Sequence, residues 1–117
     1  MRHCLATIKV ACGDSLAVYN ALLEACHKTG LTVVGVNRHD FWPHGLTAVV
    51  ILAESHFAVH TYPEEGLIFA DCFTCGDIEP HKPIHELARQ LGGVVDGQVT
   101  VPRCSRSLKA PQPPSGA

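Results

Sequence analysis

The chain predicts an α+β fold: a two-layer sandwich, with a largely antiparallel sheet carrying helices on one face. Three observations point there. Short β-branched or apolar runs outnumber helical stretches, most of them follow one another through short turns, and only two segments space their apolar residues as helices do. The order read along the chain is β-α-β-β-β-β-α-β.

Residues 3–10 (HCLATIKV) alternate moderately and read as a strand. Gly13-Asp14-Ser15 offers a helix cap, after which Leu16, Tyr19, Leu22, Leu23 and Cys26 recur at helical spacing until Gly30 stops the run. Leu31 to Val36 is a β-branched strand, and Phe41-Trp42-Pro43-His44-Gly45 breaks the pattern as a loop. Leu46 to Ala53 is almost wholly apolar, which predicts a strand buried on both faces. Phe57 to Thr61 continues extended, Tyr62 to Gly66 turns, and Leu67 to Thr74 forms the next strand. Pro83 is expected to open a second helix with Ile84, Leu87, Ala88 and Leu91 on one face, and Val94 to Val101 closes the sheet. From Ser105 the chain is rich in Pro and Ser. Residues 1–104 are therefore read as one domain and 105–117 as a disordered tail.

Composition narrows the function. The chain has 117 residues, enough for one hydrophobic core, with 46% apolar and 17% charged side chains. A net charge of −2 and the lack of a basic stripe leave a nucleic acid without an electrostatic footprint. Apolar runs end well short of membrane-spanning length, and no signal-type segment opens the chain, so a cytoplasmic protein without a membrane partner is expected. Six cysteines are then expected as reduced thiols, several of them small buried hydrophobes. A lone two-layer sheet leaves a face or an edge to manage, which predicts a homodimer.

The chemistry concentrates in residues 54–75, ESHFAVHTYPEEGLIFADCFTC. Ser55 follows an apolar strand with His56 beside it and His60 five residues on. A nucleophile with a histidine base and a strand-end serine beside exposed histidines both fit that pattern. The G-x-S-x-G elbow is absent. Cys72 and Cys75 with His81 and His85 mimic zinc-ligand spacing, but the intervening five residues are too short for a finger and hold Pro80; Pro83 stiffens the following turn. No metal ligands are assigned. A redox dithiol is also poorly served, since that motif caps a helix. Strand alternation makes Cys72 a core residue and Cys75 the candidate reactive thiol. Phe41 and Tyr62 beside the Glu64 carboxylate suit a flat, hydroxylated ligand, while Trp42 is read as packing and Arg103 as a surface charge.

Glu54-Ser55-His56, His60-Thr61-Tyr62-Pro63-Glu64 and Asp71-Cys72-Phe73-Thr74-Cys75-Gly76 together resemble the prokaryotic S-adenosylmethionine decarboxylases. The upstream Phe41-Trp42-Pro43-His44-Gly45-Leu46-Thr47 is similar to that family's F-x-P-x-G-x-T loop. The resemblance implies that the chain cleaves itself between Glu54 and Ser55, into 54 and 63 residues (117 − 54 = 63). Ser55 would become a pyruvoyl group, the built-in electron sink that condenses with the substrate amine. It implies His60 for processing, within reach of Ser55 around a tight turn, and Cys75 as the proton donor of turnover. Phe41 and Tyr62 would stack adenine, and Glu64 would meet the ribose. An amide resists such a step, so the peptide should be held strained or polarised. The expected product is the aminopropyl donor for spermidine synthesis, made by a homodimer of cleaved protomers. Alternatives are an arginine or ornithine decarboxylase on the same scaffold, or an unprocessed non-catalytic partner. Ala58, Trp42 and Arg103-Cys104 depart from the family pattern without removing a residue that has a role.

Overall fold

The computed structural model describes residues 1–11, 14–75 and 77–103. The tail expected at 105–117, and Gly13 of the expected cap, lie outside them. Six strands and two helices follow in the order anticipated: β1 (Arg2–Lys9), α1 (Ser15–Lys28), β2 (Val33–Asp40), β3 (Leu46–Leu52), β4 (Ser55–Tyr62), β5 (Leu67–Thr74), α2 (His81–Leu91) and β6 (Val94–Pro102). A 3₁₀ turn, Pro63–Glu65, separates β4 from β5. The sheet runs β2-β3-β4-β5-β1-β6 with every neighbouring pair antiparallel, so the α+β class holds.

Local chemistry explains most boundaries. Asp14 caps α1 by accepting from the Leu16 amide at 3.0 Å. Helix α2 begins at His81, two residues before Pro83. The proline sits in the first turn, where backbone N–H groups have no helical partner, so its missing donor costs little. Strand β2 runs to Asp40, beyond the expected end at Val36, because pairing with β3 carries the ladder through Asn37-Arg38-His39 despite their polarity. Here the long-range ladder overrides composition.

Both helices cover one face of the sheet. Cys4, Ala6 and Ile8 of β1, Phe57 and Val59 of β4, and Ile68, Ala70 and Cys72 of β5 pack beneath Leu22, Cys26, Ile84 and Leu87 in one core. The opposite face is open. Strand β3 was expected to be buried on both sides, but only Leu46, Ala48, Val50 and Leu52 are buried, while Ile51 is 49% exposed. The apolar run reports a half-buried strand whose outer residues remain apolar.

Register fixes which side chains share that open face. One row across it joins Val101, His3, Phe73, His56 and Ile51; the next joins Val99, Leu5, Asp71, Ala58 and Val49. A third joins Thr7, Phe69, His60 and Thr47. Leu5, Phe69, Val99 and Val101 stand exposed on it together with Ile51.

Candidate active site

Strands β3 and β4 join through the two residues Ala53 and Glu54. Tight hairpins of this kind need left-handed backbone, which glycine or asparagine supplies cheaply. This turn contains neither, and the strain falls on Ser55, whose φ is +143°. An L residue held there costs about 1–3 kcal/mol and stays only if its surroundings enforce it. They do. The Ala53 amide donates to the Thr32 carbonyl at 2.9 Å, and the Thr32 amide donates to Glu54 Oε1 at 3.0 Å. The Cys75 amide donates to the Glu54 carbonyl oxygen at 3.0 Å. The carbonyl preceding Ser55 is thus polarised by a fixed donor, on a peptide held off its preferred geometry.

Cys75 reaches that position because it directly follows Thr74, the residue paired with Ser55 across the β4–β5 ladder. Buried Thr74 donates its hydroxyl to the Ile78 carbonyl at 2.8 Å and closes the loop carrying Cys75. The two cysteines of the pair differ sharply. Cys72 is fully buried and its thiol is pushed up by desolvation, whereas Cys75 is only partly buried. Burial likewise raises Cys4, and pushes Cys26 up to about 12.

The zinc-like spacing does not become a site. Cys72 points into the core, while His85 bonds Gln98 at 2.6 Å and its ring meets that of His81 edge-on. A different cluster does form on the open face beside Phe73. His3 Nε2 and His56 Nε2 each lie 2.7 Å from Asp71 Oδ2. Arg103, expected as a bare surface charge, donates to His3 Nδ1 at 2.8 Å. A guanidinium only donates, so the His3 hydrogen sits on Nε2, the nitrogen a cation would need free. The donor set therefore reads as a hydrogen-bond chain rather than a metal site. Nothing in the local sequence signals it, because it joins residues up to 100 positions apart.

The far end of β4 carries a second constellation. Phe41, His44, Gly45, Thr47, His60, Tyr62 and Glu64 help line a cavity of about 210 Å³. The loop before β3 is pinned there: the Phe41 amide donates to the Gly45 carbonyl at 2.9 Å, and the Leu46 amide to Thr61 Oγ1 at 2.9 Å. Gly45 has φ +111°, which a side chain would strain. His60 Nδ1 shares a hydrogen bond with Thr47 Oγ1 at 3.0 Å, a partner the sequence quoted in a motif without a role. His44 Nε2 lies 2.7 Å from Glu64 Oε2. Trp42, expected to pack, is 94% exposed.

The residues singled out from sequence thus form two groups. Glu54, Ser55 and Cys75 stand together, and Phe41, His60, Tyr62 and Glu64 stand together. The expected reach of His60 to Ser55 around a turn is corrected: β4 runs unbroken from Ser55 to Tyr62, so five extended residues, about 17 Å, separate them.

A family model described as S-adenosylmethionine decarboxylase matches residues 6–106. The S-adenosylmethionine decarboxylase proenzyme of Symbiobacterium thermophilum is 42% identical over 89 residues, 75% of this chain and 67% of that protein. The proenzyme of Acidithiobacillus ferrooxidans is 41% identical over 90 residues, 76% of this chain and 65% of that protein. The matched segments cover about two thirds of these relatives' own length. The crystal structure of the adenosylmethionine decarboxylase from Aquifex aeolicus superposes with a TM-score of 0.80 at 30% identity, covering 95% of this chain and 96% of the other.

Proposed function

The chain belongs to the S-adenosylmethionine decarboxylase family, and we propose that it decarboxylates S-adenosylmethionine with a pyruvoyl group made from its own Ser55. The observation that carries this reading is the Glu54–Ser55 peptide, strained at φ +143° with its carbonyl oxygen already taking the Cys75 N–H. Ser55 Oγ adds to the Glu54 carbonyl carbon, and the Cys75 amide receives the charge that develops on oxygen. The C–N bond then breaks, the Ser55 nitrogen gains the hydroxyl's proton, and an ester joins the two halves. Loss of the Ser55 Cα proton expels the Glu54 carboxylate and severs the chain. Water replaces the nitrogen of the resulting dehydroalanine as ammonia, leaving the pyruvoyl group.

That group supplies an electron sink for loss of CO2 from an α-amino acid. The Cys75 thiol, just past the end of β5 that pairs with Ser55, donates a proton to the α-carbon that has lost CO2. Phe41 and Tyr62 hold the adenine ring, Glu64 accepts from the ribose hydroxyls, and the product serves as aminopropyl donor for spermidine. A substrate without a nucleoside, such as arginine or ornithine, would leave that cradle unused.

A second copy completes the site. The open face exposes Leu5, Ile51, Phe69, Val99 and Val101, a surface that a cytoplasmic protein would cover. Packed face to face about a two-fold axis that crosses the strands, a partner runs its β4 in the opposite sense. Its His60 and aromatic cradle then approach the Ser55 end of the first copy, and the two half-sites of each chain become two whole sites.

Denaturing mass spectrometry of the purified protein tests the reading. Fragments of 54 and 63 residues are expected, the second with a blocked N-terminus at position 55 (117 − 54 = 63). A single intact mass would sink the pyruvoyl proposal. Release of labelled CO2 from S-adenosylmethionine, against arginine and ornithine, then decides the substrate.

A further inference from the structure

The cavity at the Tyr62 end holds one polar contact that none of the roles above uses, the 2.7 Å pair between His44 Nε2 and Glu64 Oε2. The two residues come from separate loops that frame the same cavity. His44 stands in the loop closed by the Phe41–Gly45 hydrogen bond, so its backbone is fixed. Glu64 lies in the 3₁₀ turn, which Gly66 closes in left-handed conformation with its amide on the Pro63 carbonyl. Both side chains are about half exposed. Without a partner, a carboxylate on such a turn samples several rotamers, and a ligand must pay to order it.

We infer that His44 is a specificity-determining positioning residue: it holds the Glu64 carboxylate aimed into the cavity and so favours ligands that present a vicinal diol. A carboxylate only accepts, so His44 Nε2 carries the hydrogen and occupies one lone pair of Oε2. Oε1 and the second lone pair of Oε2 remain for two neighbouring hydroxyls on a ring stacked between Phe41 and Tyr62. The inference rests on the reading of this cavity as the nucleoside site and adds to it a residue that never touches the reacting atoms.

The test measures binding of 5′-methylthioadenosine and its 2′-deoxy analogue to the cleaved protein, with His44→Ala, Glu64→Gln and both changes. A surface pair of this kind is worth about 0.4–1 kcal/mol, so His44→Ala should weaken the diol ligand roughly two- to fivefold. It should weaken the deoxy analogue less, and should add no further loss once Glu64→Gln is in place. His44→Gln keeps an N–H donor and should restore most of the affinity. In turnover the loss should fall on KM. An equal loss for both ligands, or the same loss with and without Glu64, would overturn the positioning role. If Glu64→Gln leaves diol binding unchanged, the nucleoside reading of the cavity fails instead, so the two failures are told apart.

Discussion

Ser55 and Tyr62 begin and end the same eight-residue strand, yet their surroundings are built on different principles. At the Ser55 end the active elements are backbone: a φ of +143°, a carbonyl, and the amide of Cys75. At the Tyr62 end they are side chains from β4 and the loops beside it, two aromatics, two imidazoles and a carboxylate around a cavity. Covalent chemistry on a peptide needs strain and fixed dipoles, which a hairpin tied into a sheet supplies. Recognition of a ring needs surfaces that loops present at the sheet's edge. The strand holds the two ends about 24 Å apart within one chain, a span that no single substrate pose bridges.

The largest effects come from separating the two ends genetically. Ser55→Ala should abolish cleavage outright, and His60→Ala should slow it by about 10²–10⁴, the usual loss on removing a proton-transfer group. If two copies share each site as proposed, co-expression of the two variants yields mixed dimers in which one site joins an intact Ser55 to an intact His60. Cleavage of the His60→Ala chain in the mixture, and in neither variant alone, is the expected result by mass spectrometry. Persistent silence in purified mixed dimers would return both ends to one chain and refute the shared site.

Next in size is the separation of the Cys75 amide from the Cys75 thiol. Cys75→Ala keeps the N–H on the Glu54 carbonyl, so self-cleavage should proceed almost normally, while turnover falls by about 10²–10⁴. Gel analysis of cleavage beside CO2 release checks both halves. Alkylation at mildly alkaline pH provides a companion measurement. Burial raises the Cys72 thiol, so Cys72 stays protonated and unreactive there, and peptide mapping should find Cys75 modified in its place.

These distinctions mark how far the sequence could be read. The grouping of Glu54, Ser55 and Cys75 was legible because its parts are neighbours: Glu54 with Ser55, and Cys75 one position past the strand that pairs with Ser55. Strand β5 was legible to the residue, since its mostly apolar run spans Leu67–Thr74 and turn residues bound it. The separation of Ser55 from His60 was not, because a histidine five residues on reads equally well across a turn or along a strand. Only the β3–β4 register, with Leu52 opposite Ser55 and Thr47 opposite His60, decides between them. The run from Leu46 hid the open face for a related reason. Apolar residues on both sides of a strand suggest burial on both, and only the layering of the helices shows which side is covered. The Arg103–His3–Asp71–His56 chain was illegible because β1, β4, β5 and the end of β6 meet only in the folded sheet.

The Tyr62 end should respond in the opposite manner to the Ser55 end. Glu64→Gln removes a charged acceptor from ligand hydroxyls, worth about 1.5–3 kcal/mol, so KM for S-adenosylmethionine should rise roughly 10- to 100-fold. Tyr62→Ala should cost a similar amount through lost stacking, about 1–3 kcal/mol. Neither change alters the Glu54–Ser55 peptide, and the fraction of chain cleaved should match the wild type. A cleavage defect in either variant would show that the cradle residues themselves take part in processing.

Thr74→Val carries the smallest expected effect and tests what enforces the strain. Its hydroxyl is buried and donates to the Ile78 carbonyl, closing the loop that presents the Cys75 amide to Glu54. Valine keeps the shape and the β preference of the strand but leaves that carbonyl without its donor, a cost of about 1–3 kcal/mol in stability. If the closed loop is what aims the Cys75 N–H, cleavage should slow by up to about tenfold, in proportion to the loosened hydrogen bond. KM of the chains that do cleave should not move, because no cradle residue touches Thr74. A variant that melts early yet cleaves at the wild-type rate would assign the amide's aim to the β4–β5 ladder alone. The strain at Ser55 would then be enforced by strand pairing, without help from the loop beyond it.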